Sequence, residues 1–248
     1  MHSGRDKVSV IIPAYNEGPR VLETIRETSG ILERGGIDFE IIPVDDGSTD
    51  NTRRVLAESG RTGYVKPVVY ERNMGKGHAI RKGFEVSSGN LITFIDADMD
   101  LHPVQIPPFL DIMKRKNADM VAGSKRHPRS RVTYPWTRKL LSLAYRLVVK
   151  AMFNLSVKDT QVGLKLMKRE LLERALPFME VDRYAFDLEL MVISNRNGYR
   201  IVEAPITLDF RKPFARIGVR DIYTIFLNTL SVFYRLRTKK YEGLENAG

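Results

Sequence analysis

The chain has 248 residues, 43% of them hydrophobic, no cysteine and a formal net charge of +10. This apolar fraction is enough to bury a core and excludes a disordered chain, and the lack of cysteine excludes disulfides and Cys-ligated zinc or iron–sulfur sites. The excess positive charge lies in residues 125–248, where 24 Lys and Arg face 12 Asp and Glu, against 16 and 18 in residues 1–124, and it indicates an anionic partner, either a nucleic acid or a membrane surface.

Apolar runs and helical periodicities alternate along the chain. They predict strands over residues 8–12, 39–44, 65–70 and 91–95, with Pro13 ending the first. The helices predicted between them cover residues 19–34, a stretch from a cap at Ser48 or Thr49 to about 59, and residues 78–87. Later strands are predicted at 121–123 and 201–202, and later helices at 137–153, 169–175 and 186–195. This order predicts an α/β fold with a mostly parallel central sheet flanked by helices, and the lack of a linker predicts a single domain over residues 1–248.

Polar residues follow three of the predicted strands at the point where each strand ends. They are Tyr15 and Glu17 after the first strand, Asp45 and Asp46 after the second, and residues 96–100 after the fourth. Because open parallel sheets bind their ligands at the carboxyl ends of the strands, we expect these residues to converge on one site.

The segment Asp96-Ala97-Asp98-Met99-Asp100 places three carboxylates close together without a Lys or Arg. Such crowding is unfavourable unless a cation neutralises it, and carboxylate oxygens suit Mg²⁺ or Mn²⁺ bound together with substrate phosphates. An EF-hand is a poor fit, because Leu101 and Pro107 replace the glycine and the glutamate of that loop. A solvated acidic turn is the alternative, but the position directly after a buried strand favours a metal site.

A glycine-rich segment, Asn73-Met74-Gly75-Lys76-Gly77, precedes the third predicted helix. It departs from the P-loop pattern at Tyr70 and Gly77, so a P-loop NTPase is not expected. A turn of this kind suits a position beside a diphosphate, and the alternative is a turn that only starts the helix.

Seven short segments occur along the chain in a characteristic order. They are Pro13-Ala14-Tyr15-Asn16-Glu17, Val44-Asp45-Asp46-Gly47-Ser48-Thr49-Asp50, Asn73-Met74-Gly75-Lys76-Gly77, Asp96-Ala97-Asp98, Gly123-Ser124-Lys125, Asp159-Thr160-Gln161-Val162-Gly163-Leu164-Lys165 and Tyr184-Ala185-Phe186-Asp187-Leu188-Glu189-Leu190. In this order they resemble the motifs of family 2 glycosyltransferases of the GT-A fold, a Rossmann-like nucleotide-binding fold. The last two look most like the dolichyl-phosphate glucosyltransferases, with the dolichol-phosphate mannose synthases next. The resemblance covers about residues 7–238 and implies a GT-A catalytic region at about 7–215, followed by a basic amphipathic segment at about 219–240.

The resemblance implies a role for each matched position. Asp96 and Asp98 would meet the diphosphate of the donor together with Mg²⁺ or Mn²⁺, and Asp100, where mannose synthases tend to carry Gln, would add a third carboxylate to the metal. The residues that would hold the nucleotide-sugar are Pro13, Ala14, Tyr15, Glu17, Val44, Asp46, Lys76, Asp96, Ala97 and Lys125. The expected catalytic residues are Asp98, Arg138, Arg211 and Arg220, of which the arginines match basic positions at the donor and acceptor phosphates.

The implied reaction is the inverting transfer of a hexose from a nucleotide-sugar, UDP-glucose first and GDP-mannose next, to a polyprenyl or dolichyl phosphate. A lipid phosphate, whose second pKa is near 6, is largely ionised at neutral pH and needs no catalytic base. The alternative, a family 2 enzyme acting on a glycan hydroxyl, would need a base, for which Asp187 and Glu189 are the candidates. We favour the interpretation that both are helix residues supporting the site.

Two segments of the basic half have the pattern of amphipathic interfacial helices. One is the apolar face of the helix predicted at 137–153, and the other is the stretch 222–234. The first is flanked by Arg138, Lys139, Arg146 and Lys150, and the second is followed by Arg235, Arg237, Lys239 and Lys240. Such helices place their cations against anionic headgroups, and core packing is the alternative explanation. With the resemblance, they imply a peripheral protein at the cytoplasmic face of a membrane. A basic nucleic-acid-binding domain is a remote alternative that leaves the acidic cluster unexplained, so no nucleic-acid partner is expected.

Overall fold

The computed structural model describes residues 6–132, 136–155, 157–183, 185–209 and 219–238, with the side chains of 136–142 and 219–223 outside that description. The strands are β1 (Lys7–Ala14), β2 (Asp38–Asp46), β3 (Val68–Tyr70), β4 (Leu91–Phe94), β5 (Met120–Ser124), β6 (Arg131–Val132), β7 (Lys165–Lys168), β8 (Ile201–Pro205) and β9 (Thr207–Leu208). The helices are α1 (Gly18–Arg34), α2 (Thr52–Ser59), α3 (Lys76–Val86), α4 (Ile106–Lys116), α5 (Trp136–Phe153), α6 (Arg169–Ala175), α7 (Phe186–Arg196) and α8 (Val219–Arg237).

Seven strands form the central sheet in the order β3-β2-β1-β4-β7-β5-β8, and β6 and β9 form a separate parallel pair. All neighbours in the sheet are parallel except β7, which runs antiparallel to both β4 and β5. The predicted α/β fold with a mostly parallel sheet is therefore confirmed, whereas β7 was not predicted. Its sequence, Lys-Leu-Met-Lys, carries a lysine at each end and hides the strand from a hydrophobicity pattern.

The core lies on both faces of the sheet, because successive residues of a strand point to opposite sides. Val8, Val10 and Ile12 of β1 pack with α1, α2 and α4, whereas Ile11 packs with α3, α6 and α7. Each of these strand residues is fully buried. The continuous apolar run of β1 is thus explained by a sheet covered on two faces.

Local features of the structure also differ from the sequence predictions. The strand β1 continues through Pro13 to Ala14, because its pairing with β4 already ends at Ile11 and only β2 lies beside the last residues. The cap predicted at Ser48 or Thr49 is wrong, since α2 begins at Thr52 after Asn51. Helix α4 was not predicted, because two prolines stand in its first turn, where the missing N–H groups cost no helical hydrogen bond.

The C-terminal helices α5 and α8 pack against each other. The hydroxyl oxygens of Tyr145 and Thr229 lie 3.2 Å apart, and the rings of Phe153 and Phe233 meet edge to face at 5.8 Å. Core packing therefore explains the inner faces of both helices, while their outer faces remain exposed. None of the helices in the described ranges is long and apolar enough to cross a membrane.

The carboxylate of Glu40 joins three parts of the sheet. It accepts hydrogen bonds from Ser9 Oγ (2.6 Å), Lys66 Nζ (2.7 Å) and Ser88 Oγ (3.0 Å). Although burial opposes ionisation, these donors lower the pKa of Glu40 to about 2. A carboxylate whose pKa is lower in the folded than in the unfolded protein stabilises the folded state at pH values above its unfolded pKa. This stabilisation is lost as the pH falls towards 2.

We therefore expect Glu40→Gln to lower the free energy of unfolding at neutral pH by about 2 kcal/mol, allowing for the exposure of Lys66. The difference from the wild type should shrink between pH 4.5 and pH 2, where the wild-type carboxylate takes up its proton. Urea denaturation at several pH values measures it. The exposed Glu58→Gln on α2 is the matched control, and a Glu40→Gln deficit that does not change with pH would contradict the prediction.

Candidate active site

A pocket of about 220 Å³ lies at the carboxyl ends of β1, β2 and β4. It is called the acidic pocket below, and its lining residues are Pro13, Ala14, Tyr15, Glu17, Asp46, Lys76, Asp96, Ala97 and Asp98. All nine belong to the sets that the sequence assigns to nucleotide-sugar or metal. The structure thus brings together, at one sheet edge, residues that are up to 85 positions apart in the chain; their individual roles stay predictions.

The main chain after β1 is held by the turn that leads into α2. The hydroxyl oxygen of Thr52 accepts hydrogen bonds from the backbone N–H of Glu17 (3.1 Å) and of Gly18 (2.8 Å). Asn16 adopts a left-handed φ of 55°, and its side-chain oxygen accepts a hydrogen bond from the N–H of Thr49 (2.8 Å). These bonds fix the loops after β1 and β2 to each other and so position this wall of the acidic pocket.

Asp46, at the end of β2, organises the loop before α3. Its carboxylate accepts hydrogen bonds from the Tyr70 hydroxyl (2.8 Å), the Asn73 amide (3.1 Å) and the backbone N–H groups of Met74 (2.7 Å) and Gly75 (2.8 Å). Gly75 has a φ of 103°, which favours glycine. The Asp46 side chain is therefore engaged within the protein, and it holds this loop beside the acidic pocket.

Lys76 is the residue by which the glycine-rich loop reaches the acidic pocket. Its ammonium lies 2.5 Å from the carboxylate of Asp96. Burial opposes its charge, but Asp96 and Asp187 raise the pKa of Lys76 above its ordinary value. The backbone N–H of Gly77 donates instead to the carbonyl of Asp182 (2.8 Å). The loop thus presents a lysine side chain to the pocket rather than a cradle of backbone amides.

Asp96 and Ala97 are held from two sides. The Thr24 hydroxyl of α1 donates a hydrogen bond to the Ala97 carbonyl (2.9 Å). From the other side Gly163 packs directly against the Asp96 carboxylate, and a Cβ atom at Gly163 would lie 2.7 Å from Asp96 Cγ. A Cβ atom at Gly163 would displace the Asp96 carboxylate, and no feature of composition or periodicity indicates this contact.

The three aspartates occupy different surroundings. Asp98 lines the acidic pocket and accepts a hydrogen bond from the N–H of Asp100 (3.1 Å) across Met99, whose φ is 63°. Burial, followed by the charges of Asp96 and Asp100, raises the pKa of Asp98 to about 7. In the described part of the chain no three His, Cys, Asp or Glu side chains converge as a preformed metal site. The crowded carboxylates fit an ion held by one or two of them together with ligand phosphates.

The two carboxylates considered as a base are both committed to buried ion pairs. Asp187 lies 2.7 Å from the ammonium of Lys165, which also donates to the Val162 carbonyl (2.6 Å). Burial raises the pKa of Asp187, but Lys165 outweighs it and holds that pKa below its ordinary value. Glu189 is fully buried and lies 2.6 Å from Arg235 of α8. Both carboxylates thus connect structural elements behind the acidic pocket.

Val44 and Lys125 do not line the acidic pocket, and three other predicted residues have side chains outside the described part of the chain. Val44 is fully buried in the core under α3, so only its backbone is placed to meet a ligand. Lys125 lines a second pocket, 3.6 Å from Asp159, instead of the acidic pocket. Arg138 and Arg220 belong to α5 and α8, with side chains outside the described ranges, and Arg211 lies wholly outside them.

Fold and pocket together define an α/β protein with a candidate ligand site at the carboxyl edge of a mostly parallel sheet. Residues 9–176 match the sequence family described as Glycosyl transferase family 2. The chain belongs to this family and is a glycosyltransferase.

Several curated relatives carry more specific names. Dolichyl-phosphate beta-glucosyltransferase ALG5C of Trichomonas vaginalis is 32% identical over 211 residues, which cover 79% of this chain and 62% of the relative. The dolichyl-phosphate beta-glucosyltransferase of Saccharomyces cerevisiae is 29% identical over 220 residues, or 81% and 66% of the two chains. Glycosyltransferase AglD of Haloferax volcanii is 27% identical over 239 residues, or 94% and 38%. The chain thus spans about two thirds or less of the length of these three relatives.

Solved structures of glucosyl-3-phosphoglycerate synthase from Mycobacterium tuberculosis share the fold. One, in complex with Mn²⁺, UDP and phosphoglyceric acid, is 22% identical with a TM-score of 0.71 and covers 92% of this chain and 78% of that one. Another, with Mg²⁺ and UDP, is 22% identical with a TM-score of 0.69 and covers 92% and 79%. The likeness confirms the GT-A fold.

Proposed function

We propose that this glycosyltransferase transfers a hexose with inversion from a nucleotide-sugar, UDP-glucose first and GDP-mannose second, to a polyprenyl or dolichyl phosphate. The observation that carries the proposal is the engagement of Asp187 and Glu189 in buried ion pairs. A hydroxyl acceptor needs a base, and neither candidate base is available as one. The names of the relatives from Trichomonas vaginalis and Saccharomyces cerevisiae support the same acceptor.

The donor is proposed to bind in the acidic pocket. Tyr15, with 45% of its surface exposed at the pocket, offers an aromatic face to the base. Lys76 supplies a positive charge beside Asp96, where the diphosphate would lie. Asp96 and Asp98 would hold Mg²⁺ or Mn²⁺, which neutralises charge on the leaving nucleoside diphosphate when bound. The Mycobacterium tuberculosis structures that hold Mn²⁺ or Mg²⁺ with UDP support this arrangement.

The proposed step needs no proton transfer. An oxygen of the ionised acceptor phosphate forms a bond to the anomeric carbon, and the bond from that carbon to the diphosphate oxygen breaks. The electron pair leaves on the nucleoside diphosphate. Because two anions must approach each other, the chain needs cations at the site, and Lys76 with the predicted Arg138, Arg211 and Arg220 would supply them.

A lipid-linked acceptor also requires contact with a bilayer, and the outer faces of α5 and α8 support it. Large apolar side chains are exposed there, up to 58% at Leu147 and 69% at Tyr234. The others on these faces are Leu143, Phe226, Leu227 and Leu230. Arg146 and Lys150 stand beside the exposed leucines of α5. Apolar side chains next to cations suit an anionic bilayer surface, so we propose a peripheral location at the cytoplasmic face of a membrane.

A transfer assay tests the proposal. The purified chain is incubated with a polyprenyl phosphate, Mg²⁺ or Mn²⁺, and a panel of labelled nucleotide-sugars. We expect label from UDP-glucose in the chloroform-extractable fraction, and its loss on addition of a chelator. A parallel reaction offers a water-soluble glycan as the acceptor. Label on the glycan and none on the lipid would refute the phosphate acceptor in favour of the hydroxyl acceptor.

A further inference from the structure

A second pocket, also of about 220 Å³, lies between α5 and the segment 155–161. It is called the basic pocket below, and it shares no lining residue with the acidic pocket. Five cations line it, Lys125, Arg126, Arg146, Lys150 and Lys158, against a single carboxylate, that of Asp159. A cavity with this excess of positive charge favours an anionic ligand.

The one carboxylate of the basic pocket is already used. Asp159 accepts hydrogen bonds from the backbone N–H of Lys125 (3.0 Å) and Gln161 (3.2 Å), and its carboxylate lies 3.6 Å from the Lys125 ammonium. Within the described ranges, no carboxylate lies at ion-pair distance from Arg146, Lys150 or Lys158. Like charges gathered around one cavity repel each other, and a bound anion relieves that repulsion.

Apolar side chains also line and flank the basic pocket. Val149, Leu155 and Val157 form part of its wall. On α5, Leu143 and Leu147 are 41% and 58% exposed, and they lie one helical turn from Arg146 and Lys150. Exposed leucines beside a cationic cavity match the two parts of a phospholipid, whose phosphate is anionic and whose chains are apolar.

The segment 159–163 runs from the basic pocket to the acidic pocket. Its first residue, Asp159, lines the basic pocket, and its last, Gly163, packs against Asp96 of the acidic pocket. An acceptor must approach the reacting carbon to about 3–3.5 Å, so its phosphate belongs at the acidic end of this segment. The basic pocket therefore suits an anion that binds without reacting.

We propose that the basic pocket binds the phosphate of an anionic membrane phospholipid while Leu143 and Leu147 enter the lipid layer. The proposal rests on the membrane location in the proposed function, but not on the identity of the acceptor. The bound headgroup fixes α5 on the bilayer and so orients the enzyme towards lipid-borne substrates.

Vesicle co-sedimentation of the full chain tests this. Two triple variants are compared. The pocket variant carries Arg146→Gln, Lys150→Gln and Lys158→Gln. The control variant carries Arg26→Gln, Arg54→Gln and Arg61→Gln, which remove the same total charge from α1 and the region of α2. Vesicles are phosphatidylcholine with or without phosphatidic acid. We expect binding of the pocket variant to the phosphatidic acid vesicles to fall at least about 10-fold, and that of the control by no more than about twofold. Equal losses in the two variants would overturn the proposal, because general electrostatics would then explain binding.

Two further measurements separate other sources of phosphate. In a detergent assay without phospholipid, the pocket variant should keep the wild-type KM for a short-chain polyprenyl phosphate. A KM raised about 10-fold would make the basic pocket an acceptor subsite and overturn the proposal. The second measurement is the Tm in the presence of inorganic phosphate. If phosphate raised the Tm of the wild type but not of the pocket variant, and both proteins bound vesicles equally, the ligand of the basic pocket would be a small soluble anion and the proposal would be overturned. If the pocket variant lost vesicle binding but the wild type transferred no sugar to a polyprenyl phosphate, the phospholipid proposal would be upheld and the proposed function would fail.

Discussion

Asp98→Ala is expected to weaken metal-dependent binding of the donor about 100-fold or more, about 2.7 kcal/mol, whereas Asp100→Gln retains much of it. Asp98 lines the acidic pocket, and its pKa of about 7 reflects burial and then the crowding by Asp96 and Asp100, which a bound cation offsets. Asp100 does not line this pocket, and its backbone carbonyl accepts the N–H of Asp209 (3.0 Å) whatever its side chain is. Calorimetric titration with UDP in the presence and absence of Mn²⁺ measures the difference.

A control variant is needed because Asp98 also accepts the hydrogen bond from the N–H of Asp100. Asp98→Asn keeps a side-chain oxygen for that hydrogen bond and removes only the charge. It should lose metal-dependent binding as Asp98→Ala does, with a Tm no lower than that of the wild type, because burial and the neighbouring charges disfavour the carboxylate in the folded protein. Equal losses in Asp98→Asn and Asp100→Gln would contradict the prediction and make all three carboxylates ligands of the ion.

The residues of the acidic pocket, apart from Lys76, were predictable from the sequence because they lie at or just after the ends of buried strands. Each apolar run ends at a polar residue, and the parallel order of β1, β2 and β4 brings these ends to one edge. The reasoning depends on strand direction alone and therefore tolerates errors of one or two residues in strand bounds. Val44 was assigned to the nucleotide-sugar by the resemblance, which does not tell which side chains of β2 face the core; its side chain is fully buried, and its role stays a prediction.

The sequence favours a supporting role for Asp187 and Glu189, but their ion-pair partners were not predictable, because they depend on contacts between distant segments. The Lys165–Asp187 ion pair joins the first residue of β7 to the first turn of α7. A sequence pattern places lysine on the surface, yet only 1% of the Lys165 surface is exposed. Such a pair is visible only when both partners and the carbonyls that receive the ammonium are located in space.

The direction of β7 has the largest consequence for the site. Because β7 is antiparallel to β4, with Lys165 opposite Phe94, the residues before β7 lie beside the residues after β4. Gly163 is thereby brought to Asp96. A parallel β7 would have placed Gly163 at the opposite edge of the sheet. Because β7 runs antiparallel to its neighbours, Gly163, from the C-terminal half of the chain, lies beside the acidic pocket.

Gly163→Ala is accordingly expected to lower kcat/KM about 100-fold while the protein stays folded. The added Cβ would lie 2.7 Å from Asp96 Cγ and closer still to its carboxylate oxygen. Asp96 must then rotate away, which breaks its contact with Lys76 and moves it from the place where the diphosphate is proposed to bind. Steady-state kinetics with UDP-glucose and titration with UDP measure the loss, and thermal unfolding reports on the fold.

The matched control is Gly63→Ala, where a Cβ meets nothing within 4 Å. It should leave both kcat/KM and Tm at the wild-type values. In Gly163→Ala the Tm should fall by only a few degrees, because the strain falls on one partly exposed side chain, about 1 kcal/mol. Wild-type UDP affinity in a folded Gly163→Ala protein would contradict the argument, since Asp96 would then bind the donor equally well from a displaced position. Loss of UDP binding with the Tm retained would instead tie the antiparallel β7 directly to the proposed function.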